Sequence, residues 1–294
     1  MILSEFNNLN VKRNGYFNFF SKLGGIGPVL KKTITFVESK KYLNKINDNI
    51  SCVICKNEFL DFFKKKDIGI IISENPKKIF YEIYFDLYKK KYFKYFKNNI
   101  SENAQISEKA NISKYGVKIG NNCIIEDNVI IKEGSIIENN VIIRSNSVIS
   151  SEGFEIFNIE NKNIIIPHTG KCIIKDNVEV LNNSCIAKGL FEGGDTVIEE
   201  EVKVDNLVQI AHGVKIGKKT KIASGVVISG GTVIGSDSWL GPNATVSSEL
   251  FIGNNVRINI GSVVINDLKN NSNVSGNFAY ENRSVMKDFI KKFY

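Results

Sequence analysis

Residues 216–240 read Ile216-Gly-Lys-Lys-Thr-Lys-Ile222-Ala-Ser-Gly-Val-Val-Ile228-Ser-Gly-Gly-Thr-Val-Ile234-Gly-Ser-Asp-Ser-Trp-Leu240. A branched apolar residue returns at every sixth position. The same phase extends back to Ile198, Val204 and Ile210 and forward to Val246, Ile252, Ile258 and Val264, twelve hexads without a slip. An earlier block places Ile106 and Ile112 and then, after one extra residue, Ile119, Ile125, Ile131, Ile137, Ile143 and Ile149. Ile174, Val180 and Ile186 link the two blocks, with one miss at Glu192. Two residues before the branched positions stand small or β-branched residues, as at Ala104, Ala110, Val117, Cys123 and Val129. Helical and strand periods are 3.6 and 2, so a strict six fits neither an ordinary helix nor a hairpin array. It is the signature of a parallel β-helix. Each hexad supplies a short strand and a tight corner, and adjacent coils bury the branched side chain. Segment 150–173 carries no hexads and leaves the solenoid as a loop, an excursion of the kind that lies on a functional face.

The first hundred residues obey other rules. Residues 33–37, 50–55 and 68–72 are short β-like runs, and 77–97 carry Phe80, Tyr84, Tyr88, Tyr92 and Tyr95 among lysines at helical spacing. Aromatics interleaved with lysines suit single-stranded nucleic acid. The helical period favours instead an amphipathic helix packed on a small sheet with its lysines in water. The chain thus reads as mostly β: a small α/β unit over 1–100, a solenoid over 101–279 with its excursion at 150–173, and a short C-terminal helix over 280–294. Its 294 residues are 43% hydrophobic and 24% charged, which excludes a disordered, collagenous or polytopic membrane chain. No run approaches the roughly 20 apolar residues of a membrane span. The start, Met1-Ile-Leu-Ser-Glu-Phe6, is too short and polar for a signal peptide, so the cytoplasm is the expected compartment. The net charge of +8 suits phosphate-bearing partners, anionic surfaces or nucleic acid alike. The five cysteines, Cys52, Cys55, Cys123, Cys172 and Cys185, are odd in number and read as free thiols. Cys52-Val-Ile-Cys55 has no second pair and no flanking His, so it reads as a buried strand, and no metal is expected.

There are two histidines. His168 lies in the excursion. His212 stands two residues past the inward Ile210, at or near a corner, in Val204-Asp-Asn-Leu-Val-Gln-Ile-Ala-His-Gly-Val-Lys-Ile-Gly217. Histidine is the natural general base near neutral pH, although a solvated surface His fits the position equally well. This stretch resembles the signature of the UDP-3-O-acylglucosamine N-acyltransferases of lipid A biosynthesis. Glu152-Gly153-Phe154 resembles the family's Asp-Gly-Phe, and Ile166-Pro-His-Thr-Gly170 its Ile-Pro-x-x-Gly. Thr35-Phe-Val-Glu-Ser-Lys-Lys-Tyr42 resembles its uracil-binding segment. The resemblance runs roughly from residue 33 to 285.

It implies a left-handed, three-sided solenoid, coils of 18 residues, and a homotrimer with active sites between adjacent solenoids. His212 becomes the catalytic base, and Gly230, one coil on, the backbone oxyanion donor. Asp205 orients His212 or binds the sugar, with Asn206 and Gln209 as polar partners, although corner side chains also serve to close turns. Phe36 and Tyr42 hold a uracil ring, with Ser39 where the family has Asn; ordinary core packing is the competing reading. Gly153, Phe154 and His168 join the substrate site. No cofactor is tightly bound, and the acyl donor is acyl carrier protein or coenzyme A.

Three features depart from the family. Its second functional His is replaced by Glu249. Its Asp-Arg-Gly is Ala187-Lys188-Gly189, which implies an altered acceptor pocket. Its long basic C-terminal helix is cut to about three turns, and Asn271–Ala279 resembles the ending of small coenzyme A-dependent acetyltransferases. The implied activity is N-acyl transfer from a thioester to the amine of a UDP-linked amino sugar, for lipid A or a surface polysaccharide. The alternatives are an O- or N-acetyltransferase on another acceptor and, least favoured, a non-catalytic binding solenoid.

Overall fold

A computed structural model describes residues 1–6, 9–23, 27–159, 161–276 and 279, so the helix expected over 280–294 lies outside the described residues. From 201 to 261 every sixth residue has a positive φ, between 52° and 71°. A single left-handed residue turns the chain sharply, and Gly and Asn adopt it at little cost. Here the positions are Glu201, Leu207, Gly213, Lys219, Gly225, Gly231, Asp237, Asn243, Glu249, Asn255 and Gly261. Between corners run two-residue strands such as Gln209–Ile210, Lys215–Ile216 and Lys221–Ile222. Their inward residues, from Ile198 to Ile258, are at most 2% exposed.

From Ile198 to Val246 each strand pairs in parallel with the one 18 residues on: Ile210 with Ile228, Ile216 with Ile234, Ile222 with Leu240. Among the described residues this gives three parallel sheets, of nine, eight and eight strands, and the chain winds through them as a left-handed β-helix. The backbone ladder and the inward stack enforce the same register, so a slip costs both.

Three insertions lengthen the step past 18 in the pairs that span them, as where Ile106 pairs with Ile125, Ile149 with Ile186, and Ile186 with Ile210. The second step contains the 150–173 excursion, from which Ile156–Ile159 and Lys162–Ile165 pair as an antiparallel hairpin. The third corrects the reading of Glu192. It is not a failed hexad but part of a second loop, between strands Cys185–Ala187 and Thr196–Ile198. Both loops leave the sheet that contains Gln209–Ile210 and re-enter the sheet that contains Lys215–Ile216. His212 turns between those same two sheets one coil later. One edge of the prism therefore carries both loops and the histidine.

The N-terminal residues form β1 (Asn10–Arg13), β2 (Phe19–Phe20), β3 (Thr33–Val37), β4 (Ile50–Cys55), a short helix α1 (Leu60–Phe63), β5 (Gly69–Ile72) and α2 (Pro76–Lys89). The sheet order is β1-β5-β4-β3-β2, with β1 antiparallel to β5 and the rest parallel. Helix α2 stops at Lys89, short of the expected 97, and Lys91 turns left-handed just beyond it (φ 54°). Its buried stripe is Phe80, Tyr81, Ile83, Tyr84 and Leu87, whereas Tyr88 and Tyr92 are exposed. No helix among the described residues is long and apolar enough to cross a membrane.

This layer is seated on the solenoid's loops. Phe191 of the second loop packs against Phe20, Phe80 and Tyr84, with centroids 6.1, 5.7 and 5.0 Å away. Tyr84 Oη donates to the Pro167 carbonyl (2.7 Å) and Tyr81 Oη to Glu155 (3.2 Å), tying α2 to the excursion.

Replacing the fully buried Ile216 by Ala should cost about 2–5 kcal/mol in urea unfolding. Leu207 sits left-handed (φ 60°) and 65% exposed, so Leu207→Asn should raise stability by about 1 kcal/mol.

Candidate active site

The corner after Gln209–Ile210 delivers His212, and the register stacks Gly230 over it. A Cβ placed on Gly230 would lie 2.8 Å from both Cε1 and Nε2 of His212, so only glycine admits the ring there. The next amide, Gly231 N–H, donates to the His212 carbonyl (2.9 Å), and the Gly230 carbonyl accepts from Glu249 N–H (2.9 Å). Among the described residues no acceptor takes the Gly230 N–H. His212 and Gly230 line a cavity of about 790 Å³, walled by Glu152–Glu155 of the excursion, Phe191 and Gly194 of the second loop, and Lys22 of the N-terminal layer.

The excursion folds back so that the two histidines meet edge to face, with ring centroids 5.3 Å apart and planes at 72°. Gly153 lies where they approach. A Cβ there would come within 2.6 Å of His168 Nε2 and 2.7 Å of His212 Cδ2. His168 is 1% exposed. Its Nδ1 stands 2.8 Å from the Ile166 carbonyl and 3.1 Å from Glu152 Oε2, and its backbone N–H donates to that same carboxylate oxygen (2.8 Å). Behind Glu152 lies the fully buried Lys188. Its ammonium reaches Glu133 (3.0 Å), Glu152 (3.2 Å) and the Tyr95 hydroxyl (3.3 Å). Burial disfavours that ammonium, but Tyr95, Glu152 and Glu133 outweigh it and raise its pKa. Burial likewise opposes charge on Glu152, yet the hydrogen bonds from His168 and the charge of Lys188 hold its carboxyl down at about 2. Burial, with help from His168 and Lys22 and against the pull of Glu155, pushes His212 down to about 4. At neutral pH its imidazole is uncharged, with a lone pair available.

The structure does not bring all the sequence candidates together. Gln209, Glu249, Gly153 and Phe154 line the cavity, with Phe154 82% exposed. Asp205 does not orient His212 within the chain. Its Oδ1 accepts from Asn206 N–H and Nδ2 (2.7 and 2.8 Å), and its Oδ2 from Ser224 N–H and Oγ (3.1 and 2.5 Å). Asn206 Oδ1 in turn accepts from Asn182 N–H (3.0 Å), so this pair closes turns at another edge of the prism. Phe36 packs against Phe80 and Tyr81, with centroids 5.0 and 6.4 Å away. Tyr42 packs with the residues on the other face of the sheet, around Phe59 and Phe63. Ser39 precedes the short helix Lys40–Lys45 without capping it through its side chain. No ring contact joins Phe36 and Tyr42 among the described residues, and neither lines the His212 cavity. Each is engaged in packing on its own side of the sheet. Lys188, expected to alter the acceptor pocket, lies beneath it as the partner of Glu152. Its signal was in the spacing: it follows the inward Ile186 by two residues, as His212 follows Ile210.

The shifted His212 sets a pH dependence. The unfolded imidazole takes up a proton near pH 6.5 and the folded one only near 4, so between those values the unfolded state binds more protons. Stability from this group is complete above about 6.5 and declines as pH falls toward 4. Urea midpoints measured across that window should fall in the parent and flatten in His212→Gln. Glu152 acts in a lower window, below 4.5 toward 2.

The family model for the bacterial transferase hexapeptide, six repeats, matches residues 116–151 and 195–230. The UDP-3-O-acylglucosamine N-acyltransferase 1 of Francisella tularensis subsp. holarctica (strain OSU18) is 34% identical over 108 residues, 36% of this chain and 30% of that protein. The enzyme of the same name from Legionella pneumophila (strain Paris) is 44% identical over 64 residues, 22% of this chain and 18% of that one. The chain thus matches about a third or less of these relatives' length. The Francisella novicida UDP-N-acetylglucosamine acyltransferase structure superposes with a TM-score of 0.49 at 21% identity, over 65% of this chain and 71% of that one. The chain carries bacterial transferase hexapeptide repeats over 116–151 and 195–230 and resembles the UDP-3-O-acylglucosamine N-acyltransferases.

Proposed function

We propose that this chain is an acyltransferase that moves an acyl group from a thioester to the amino group of a UDP-linked amino sugar. One observation carries the reading: an uncharged imidazole, His212, packs against the bare Cα of Gly230, whose N–H takes no acceptor among the described residues, in the wall of a cavity of about 790 Å³. N-acylation needs that pair. The amine attacks the thioester carbonyl carbon while His212 Nε2 takes its proton. The Gly230 N–H donates to the oxyanion. The C–S bond then breaks as the carbonyl re-forms, and the imidazolium returns the proton to the departing thiolate. The donor is an acyl carrier protein or coenzyme A thioester, and the setting is lipid A or surface-polysaccharide synthesis in the cytoplasm.

The working form is a homotrimer. Val227 and Val263 point outward on the sheet beside His212, 38% and 58% exposed, and Leu207 and Phe154 stand out further. Such apolar surface suits a neighbouring copy. The reading of residues 1–100 as a uridine-binding unit rests on the resemblance. The packing of Phe36 and Tyr42 on separate sides of the sheet favours a second reading, in which the same chemistry serves an acceptor held differently.

A panel of UDP-amino sugars with acyl carrier and coenzyme A donors, read by product mass, tests the activity. His212→Ala should lower turnover by about 100-fold or more without loss of fold. Gly230→Ala should do likewise, because its methyl displaces the ring. Near-parental turnover in His212→Ala would sink the mechanism, and stronger binding of dTDP than UDP would remove the uridine assignment.

A further inference from the structure

A histidine that serves as a base works best when its second ring nitrogen is held by an acceptor, which fixes the tautomer and aims the free lone pair. Asp205, the sequence candidate for that task, is engaged elsewhere. Glu155 takes Lys22 (2.8 Å) and Tyr81 (3.2 Å) on Oε1 and makes no hydrogen bond to His212 among the described residues. One fully buried acceptor beside His212 has no partner among the described residues. His168 Nδ1 faces two groups that only accept, the Ile166 carbonyl and the ionised Glu152 carboxylate, so Nδ1 carries the hydrogen. With the hydrogen on Nδ1, the acceptor lone pair of the imidazole form is at Nε2. That atom is buried and has no hydrogen-bond partner among the described residues. A buried acceptor left unpaired costs free energy, so one in a well-packed site calls for an explanation.

The missing donor is within the geometry. His168 Nε2 and the Cδ2 edge of His212 approach each other across the bare Cα of Gly153. A half-turn of the His212 ring about Cβ–Cγ exchanges Cδ2 with Nδ1 and Cε1 with Nε2, an alternative that occupies the same space. It brings Nδ1–H to the His168 side. It keeps Nε2 on the edge that faces Gly230, where both Cε1 and Nε2 already lie.

We propose that His168 is the positioning residue for His212. The chain of groups runs from Lys188 to Glu152, from Glu152 to His168 Nδ1–H, and from His168 Nε2 to His212 Nδ1–H. It leaves the His212 Nε2 lone pair aimed at the acceptor amine beside Gly230. The excursion thus supplies a substitute for the carboxylate that the solenoid does not provide. Gly153 is glycine because two imidazoles must meet across it. Lys188 is buried because Glu152 must stay charged in a poorly solvated place. This inference rests on the acyltransferase reading for its catalytic consequence, but not for the wiring itself.

The test uses the fact that the chain holds only two histidines. Imidazole 15N spectra of the full chain, without substrate, should show His212 as the Nδ1–H tautomer at neutral pH. In His168→Phe, which keeps a flat ring and removes the acceptor, that preference should be lost. In His168→Gln, whose amide oxygen accepts at the Nε2 position, it should be retained. In the acyl-transfer assay, His168→Phe should lower kcat by about 10- to 100-fold with KM unchanged, as loss of an orienting partner does, and His168→Gln should recover most of it. A parent His212 protonated at Nε2, or a tautomer unchanged in a folded His168→Phe, overturns the proposal. The expected spectra support the wiring even where no acyl transfer is found, so a failed activity reading is told apart from a failed inference.

Discussion

The whole molecule depends on one backbone device, a left-handed corner every sixth residue. It limits most strands to two or three residues and, away from the insertions, returns the chain to register every 18 residues. It thereby stacks an inward branched side chain on its equivalent in the next coil. Neither element is stable alone. A two-residue strand has almost no ladder, and a row of isoleucines has no reason to align without one. Together they bury nearly every inward position to 2% exposure or less. Glu249 and Leu207 stand at corners where Gly or Asn is easier. Glu249 lines the cavity, and Leu207 points its apolar side chain into solvent.

Because the register is so rigid, insertions have one place to go. Both long loops leave at the edge that carries His212, and each returns the chain to the correct sheet. The N-terminal layer is fastened to these loops through Tyr81, Tyr84 and Phe191. Its aromatic core thus fixes the walls of the cavity as well as itself. Lys188 illustrates the cost of the arrangement. A fully buried ammonium is unfavourable unless paired, and here two carboxylates and a phenol hydroxyl surround it.

The solenoid was legible because its period is enforced at every coil, and a pattern repeated twelve times is hard to mistake. The stacking of Gly230 on His212 followed from the same arithmetic. The second loop was not, because six extra residues mimic one failed hexad, and Glu192 took the blame. The meeting of His168 with His212 was also invisible. The excursion follows no period, and its path is set by Glu152 and by tyrosines far away in sequence. Asp205 was hard to read for the opposite reason. It stands in the right motif, yet its oxygens are taken by the local turn, and a motif does not record where hydrogen bonds go. The aromatic stripe of α2 was right in kind but too long, since Tyr88 and Tyr92 continue the lysine-rich pattern without facing the core.

A stack of near-identical coils behaves as a one-dimensional chain of neighbours, and such chains fray from their ends. The terminal rungs here are the loosest: Ile106, Ile112, Leu268 and Val274 are only partly buried, while the rungs around His212 are sealed. The edge that carries His212 therefore lies several coils inside both of these looser ends. Heat or denaturant must consume those outer coils before reaching it. The end coils act as sacrificial turns, and their number sets how much local melting the His212 cavity can survive.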